Sequence, residues 1–366
     1  MLQNLTHLKE LSLWSVKISS EFRVNFSSSL TYVDLLDTKI RGNLPSNVFY
    51  LLNMQILSLG GNENLSVSLP KLNCSISDSL RQLNLFNTNF SAALPDLIGC
   101  IRSLNALDLN SCQISGEVLE ILRNSKSLVF LDLSNSMIHG KIPSWFMSKT
   151  RHILTKLNLS HKFLTGAMDQ LPGQIPPSIC DPGYLRILDL SNNNFSGPNP
   201  QCLGNFSYLE IVDLGNNMLF GSIPTTFLEG NSLQFLMLND NQLQGPEFVQ
   251  SMIGFTNGAY YYIHSIGLFI KGIEYSLERV LITQTAIDFS RNRFEGQILE
   301  IIGSLHSLQL LTLSHNNFSG GISRALGHLN MLESLDLSWN QLERTIPREL
   351  LNLDFLEFLN LSKKIM

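Results

Sequence analysis

Charge is scarce in this chain. Charged residues make up 15% of its 366 positions and the net charge at pH 7 is -5, so there is no basic footprint for a nucleic-acid partner. Cysteine is scarce as well. Cys74, Cys100, Cys112, Cys180 and Cys202 form no C-x-x-C and no Cys/His cluster, so no zinc site is implied. The histidines, His7, His139, His152, His161, His264, His306, His315 and His328, are scattered, with no H-E-x-x-H among them. No G-x-x-x-x-G-K cradle and no G-x-S-x-G elbow is present either. The chain therefore reads as a protein that is not an enzyme and needs no cofactor. No apolar run reaches the roughly 18–20 residues of a membrane helix. Met1-Leu2-Gln3-Asn4-Leu5 also lacks the basic region and apolar run of a signal peptide.

What the chain has instead is repetition. The pattern L-x-x-L-x-L-x-x-N-x-L-x-G recurs with its second leucine-like position at Leu11, Val33, Leu57, Leu83, Leu107, Leu131, Leu157, Leu188, Val212, Leu236, Ile287, Leu311, Leu335 and Leu359. Eight of the 13 intervals are 24 residues, the signature of a leucine-rich-repeat solenoid. The expected fold is an α/β repeat, curved, with a concave parallel β-sheet and a mostly irregular or 3-10 convex side. The expected organisation is about ten coils over 1–245, an island over 246–282, and about four coils over 283–366 with the last incomplete.

Each coil has a physical grammar. In a stretch such as Leu131-Asp132-Leu133 the leucines point inward and the residue between them outward. Five positions after the anchor stands Asn62, Asn193, Asn217, Asn241, Asn292, Asn316 or Asn340, whose amide satisfies backbone groups that a buried turn would strand. Thr38, Thr88, Cys112 and Ser136 are polar stand-ins, while Val16, Lys162 and Lys364 break the rule. The other half, as in Gly140-Lys141-Ile142-Pro143 and Gly221-Ser222-Ile223-Pro224, combines a permissive glycine with a proline that removes a donor. It is weakened at Ala92 and Arg344. The coils from Ile287 to Leu361 are expected to be the most regular, and those around Lys162 and the island the least. Leu5, Leu8 and Leu11 at one end, and Phe355, Leu356 and Leu359 at the other, are expected to leave apolar area uncovered, because no polar cap lies beyond them.

Register also names the outward-facing large side chains: Trp14, Tyr32, Phe86, Phe130, Phe235, Met237, His315, Trp339 and Phe358. Aromatic residues on an open face are the types that become binding anchors, although lateral packing explains any one of them. His315 and Trp339 hold equivalent places on adjacent coils. The acids Asp108, Asp132, Asp189, Asp213, Asp288 and Asp336 line one face and read as solvated strand residues paired with Ser or Asn rather than as cation ligands. Cys180 and Cys202, 22 residues apart on neighbouring coils, suit either a disulfide or two small packed side chains. Sequons begin at Asn4, Asn25, Asn64, Asn73, Asn89, Asn158, Asn194, Asn205, Asn317 and Asn360, in modest agreement with a secreted glycoprotein.

Between Leu236 and Ile287 the interval is 51. The island carries Tyr260, Tyr261 and Tyr262, then Lys271, Gly272 and Glu274 in a K-G-x-E element. So long a loop is usually functional; a repeat degraded by drift is the alternative. This island, followed by Ile287-Asp288-Phe289-Ser290-Arg291-Asn292 and its L-x-G-x-I-P companions, closely resembles plant leucine-rich-repeat receptor-like proteins of the Cf fungal-resistance class. The resemblance implies a ligand-recognition ectodomain on the extracellular face of the cell membrane, serving defence or developmental signalling through partner kinases. Its implied partners are a peptide, protein or glycan ligand, with co-receptor and adaptor kinases, the co-receptor meeting the coils after the island. The family's signal peptide, cysteine-paired cap and membrane helix are not in this sequence. Two other readings stand beside this one: a truncated, non-signalling paralogue, and a secreted inhibitor of the polygalacturonase-inhibiting type, which has fewer and uninterrupted coils.

Overall fold

In the computed structural model the residues described are 6–18, 21, 26–68, 79–93, 103–117, 127–142, 144–145, 150, 153–160, 172–180, 183–224, 233–245, 262–263, 266–270, 273–277, 280–281, 285–343 and 345–362. They fall in two compact units, Met1–Pro172 and Gly173–Met366. Both are built from the same coil. In the first unit, parallel strands run from Glu10–Ser12 and Tyr32–Asp34 through Phe130–Asp132 to Lys156–Asn158, each in register with the next. The second unit stacks Ile187–Asp189, Ile211–Asp213, Phe235–Met237, Ala286–Asp288, Leu310–Thr312, Ser334–Asp336 and Phe358–Asn360 in the same way. The expected leucine-rich-repeat solenoid is what forms.

The anchors and the leucines two residues on point inward, and Leu107, Leu131, Leu188, Leu236, Leu311 and Leu335 have no exposed surface. Phenylalanines fill the interior beside them, Phe289 at the position two after its anchor. Phe289, Phe294 and Phe318 are buried, with the Phe294 and Phe318 rings stacked at 6.2 Å. Past each asparagine a second parallel ladder forms, for example Asn194–Pro198 on Met218–Gly221. At its turn Gly197 and Gly221 have φ of 94° and 88°, a region that a Cβ disfavours. The remaining side of the coil is short 3-10 helix, as at Ser46–Tyr50, Gln201–Asn205 and Arg324–His328.

The asparagine at position five ties one coil to the next. Asn316 Nδ2 donates to the carbonyls of Leu313 and Ser314 in its own coil and to Phe289 O of the coil before, at 2.9–3.2 Å. Its Oδ1 accepts the Phe294 N–H. Asn217, Asn241, Asn292 and Asn340 repeat this set. The stand-ins make part of it: Thr88 Oγ1 donates to Leu85 O, as does the Cys112 thiol, and burial pushes that thiol up to about 12. Val16, which can do neither, is exposed.

Two expectations are corrected. Lys156–Asn158 pairs with Phe130–Asp132 over three residues as cleanly as Leu310–Thr312 with Ser334–Asp336. Strand pairing needs only the three central residues, so a lengthened loop elsewhere in the coil leaves it intact; Lys162 itself, like Lys364, lies outside the described residues. At the ends, Leu359 is 44% and Phe355 56% exposed as expected, whereas Leu11 is buried. Leu5 lies outside the described residues.

Replacing Asn316 by Ala strands buried donors and acceptors in two coils at once. At about 1–3 kcal/mol for each unsatisfied buried group, the loss should be roughly 3 kcal/mol or more in denaturant unfolding. Asn317→Ala, one residue on and exposed, should change stability little.

Candidate functional site

The outward face begins with the residue after each anchor. On most rungs an Asp or Asn there accepts the backbone N–H two residues on: Asp132 from Ser134, Asp189 from Ser191, Asp288 from Ser290, Asp336 from Ser338. This bond holds the chain as it turns out of the strand. The pairing with Ser and Asn is as expected, but most of these acids are not solvated: Asp108, Asp132, Asp189, Asp213 and Asp288 are all buried. Stacked rungs cover one another at the strand spacing of roughly 4.8 Å. Burial raises Asp108 to about 7, with Asp132 beside it adding to the rise, and raises Asp288 to about 6. Asp213 is held well above its ordinary range by burial and by neighbouring Asp189. Asp132 moves the other way: burial would raise it, but the Lys156 ammonium 2.8 Å away and the hydrogen bonds from Lys156 and Ser134 together outweigh that burial. Among the described residues no group of three His, Cys, Asp or Glu side chains is placed to hold a metal.

Three residues after that acid, the backbone becomes left-handed in rung after rung. The position is Ser15, Asp37, Gly61, Asn87, Ser111, Asn135, Asn192, Asn216, Asp240, Arg291, His315 and Trp339, with φ between 48° and 72°. Asn, Asp, His and Gly tolerate that region; other bulky side chains rarely enter it. Arg291 and Trp339 nevertheless occupy it, with His315 between them, on three consecutive rungs. His315 and Trp339 stack face to face at 4.9 Å with 10° between their planes. Burial, then the nearby Arg291 guanidinium, lowers the His315 pKa, which favours the neutral imidazole. The pair borders a groove of about 290 Å³ with Asp240, Arg291, Asp336 and Phe358, over a floor of Ser290, Ser314 and Ser338. Asp240 and Arg291 face each other at 3.7 Å across its rim.

The structure thus brings together His315, Trp339 and Phe358 of the expected anchors. Trp14 is exposed and Tyr32 half-buried in the first unit, where Tyr32 donates a long 3.4 Å hydrogen bond to Asp34. Phe86 is half-buried over the Cα of Gly60, where a Cβ would strike its ring at 2.3 Å. Phe130 carries the Lys156 ammonium 4.5 Å from its ring centre, so one face of that ring is occupied. Phe235 and Met237 are corrected outright. They are 1% and 3% exposed, packed with Ile211, Ala286 and Leu310 in one apolar cluster. Their neighbours in register are themselves apolar, which the position of each residue alone did not disclose.

Of the island residues, Tyr260, Tyr261, Lys271 and Gly272 lie outside the described residues; Tyr262 and Glu274 fall in strands whose side chains are not described. Asn4, Asn25 and Asn73 also lie outside them. Asn64, Asn89, Asn205 and Asn317 are exposed and Asn194 and Asn360 half-buried, but Asn158 is 2% exposed and bonded to Asp132. It is therefore no acceptor in the folded chain. Cys180 and Cys202 form a disulfide, with Cα atoms 5.3 Å apart. The Arg291–His315–Trp339 row was half visible in sequence; the signal for the rest is the run of Asn, Asp, Ser and Gly at that position, which marks left-handed backbone.

The strand ladder, the asparagine ladder and the coil length define a leucine-rich-repeat protein. The Leucine Rich Repeat family profile matches residues 127–148, 184–206, 307–329 and 331–353. Receptor-like protein Cf-9 of Solanum pimpinellifolium is 41% identical over 104 residues, 28% of this chain and 12% of that protein. Receptor-like protein 53 of Arabidopsis thaliana is 31% identical over 330 residues, 79% of this chain and 30% of that protein. Among solved structures, the complex PEPR1-AtPEP1 superposes with a TM-score of 0.71 at 25% identity, covering 94% of this chain and 47% of that one. The receptor kinase HAESA of Arabidopsis, in complex with the peptide hormone IDA and the co-receptor SERK1, shares the fold with a TM-score of 0.64 at 24% identity, covering 98% of this chain and 62% of that one. The chain belongs to the plant leucine-rich-repeat receptor-like proteins of the Cf class, and it spans 30% or less of the length of these two relatives. Among the described residues no helix is long and apolar enough to cross a membrane.

The raised acids set a pH dependence. Asp108, Asp213 and Asp288 keep protons in the folded chain that they lose near pH 3.8 when unfolded. The folded state therefore binds more protons between about pH 4 and 7, and stability falls as pH rises through that window. Asp132, lowered by Lys156, contributes in the opposite sense, its support being lost only below about pH 4. Chemical denaturation should give a higher midpoint at pH 5 than at pH 7.5, and Asp213→Asn should reduce the difference.

Proposed function

We propose that this chain is a stretch of the ligand-recognition ectodomain of a plant cell-surface receptor-like protein, acting in defence or developmental signalling. Its parts are coils over 1–245, an island over 246–282 and coils over 283–366. The ligand is a peptide or protein captured on the outward face of the strands, with a glycan as the other chemistry that face suits, and signalling passes through co-receptor and adaptor kinases. Asn64, Asn89, Asn194, Asn205 and Asn317 are the acceptors for N-linked glycans that fit an extracellular setting.

The observation that carries this reading is the left-handed row. A non-glycine residue in that backbone costs about 1–2 kcal/mol, less for Asn or Asp. Folding alone favours Asn at Trp339, as at Asn192 and Asn216. Bulky residues at strained positions mark function, and a stacked aromatic pair beside a groove is an anchor site for a partner protein. Of the solved complexes of similar fold, that of HAESA holds a peptide hormone and a co-receptor, which supports assigning the groove to partner recruitment.

The test uses the SERK1 ectodomain as probe. Trp339→Asn removes a stack worth roughly 1 kcal/mol and relieves backbone strain of similar size, so the melting temperature should stay within a few degrees. Retention of the probe should fall about tenfold or more, as for an interface hot spot. Unchanged retention, or a large loss of stability, would show that Trp339 is scaffold.

A further inference from the structure

On one rung of the first unit, Phe130 stands just before the anchor Leu131 and Asp132 just after it. Together they hold the Lys156 ammonium of the adjacent rung, 2.8 Å from the Asp132 carboxylate and 4.5 Å from the centre of the Phe130 ring. The groove beside His315 and Trp339 sets the same two positions side by side. Asp336 stands just after its anchor, Phe358 just before the anchor of the adjacent rung, and both line the groove. Trp339, 43% exposed, adds a second ring. Among the described residues lining the groove, Arg291 is the one lysine or arginine. It faces Asp240 at 3.7 Å and stands two rungs from Asp336, roughly 10 Å along the sheet.

Folding does not require the charge of Asp336. Its Oδ1 accepts the Ser338 N–H at 2.9 Å, and Asn84, Asn158 and Asn360 accept the equivalent bond on their own rungs at 3.0–3.2 Å. An amide oxygen therefore serves this turn as a carboxylate does. Asp189, Asp213 and Asp288 are buried, whereas Asp336 is half-buried and lines the groove. Its second oxygen accepts from Asn360 Nδ2 at the longer distance of 3.3 Å. We propose that the groove takes a lysine or arginine side chain of the partner, its cation on Asp336 and its apolar stem along Trp339 and Phe358. A carboxylate and aromatic faces attract the same cation. An acidic segment would meet Asp240 and Asp336 with like charge, which disfavours it. The partner thus supplies in the second unit the cation that Lys156 supplies in the first.

This inference rests on the reading of the groove as a partner site and names the chemistry the partner must present. Its test needs no partner protein, so the two fail separately: SERK1 retention decides recruitment, and a small peptide decides charge. With 5-fluorotryptophan in the chain and the Trp339 resonance assigned through Trp339→Phe, an acetylated, amidated glycine-arginine-glycine peptide should shift that resonance in a saturable, millimolar titration. The citrulline peptide, which has the same shape without the charge, should bind about fivefold or more weakly. Asp336→Asn keeps the acceptor for Ser338 and removes the charge, so it should weaken the arginine peptide by about fivefold or more as well. The proposal is overturned if the arginine peptide gives no shift in the tens of millimolar. It is equally overturned if the citrulline peptide binds as well, or if Asp336→Asn binds the arginine peptide as the parent chain does. Should Asp336→Asn not melt cooperatively, salt decides on the parent chain. Ion pairs open to solvent are screened, so an affinity unchanged between low and high salt overturns the proposal.

Discussion

The rest of this structure depends on the hydrogen bonds of one buried amide. A coil of 24 residues cannot close on itself without leaving carbonyls and N–H groups in its interior, and each group so stranded costs free energy. Asn217, Asn241, Asn292, Asn316 and Asn340 satisfy these groups in their own coil and in the one before. Stacking order, strand register and coil spacing follow, because an amide that bonds two coils sets the distance between them. Thr88 and Cys112 show how far the requirement relaxes: each keeps a donor for the same carbonyl, Leu85 O, and gives up the rest.

That constraint leaves the outward face free to vary, and the face divides its work. The acids after the anchors hold the turn through a bond to the backbone two residues on, and they are buried enough for their charge to oppose folding at neutral pH. Lys156 relieves this for Asp132, whereas Asp213 lies near two further acids, Asp189 and Asp288, with hydrogen bonds from Gly215 and Ser191 offsetting them in part. The left-handed position that follows is filled in most rungs by the residues that backbone prefers. After the island it is filled by Arg291, His315 and Trp339. Bulky residues on this scaffold thus stand out as local departures from a rule that most described coils obey.

The sequence alone determined the repeat, its length, the inward leucines and the asparagine ladder, because period and spacing are properties of the chain and each coil solves the same packing problem. It also placed His315 and Trp339 side by side, since equal positions on coils 24 residues apart lie on adjacent rungs. What only the tertiary structure decided is which outward residues remain accessible. Phe235 and Met237 looked like anchors one at a time and proved to be part of an apolar row, Asp189 and Asp213 looked solvated and are buried, and Asn158 reads as a sequon yet is bonded to Asp132. Burial depends on the neighbours of neighbours across rungs, and the partners that set it are separated by 24 to 51 residues of chain.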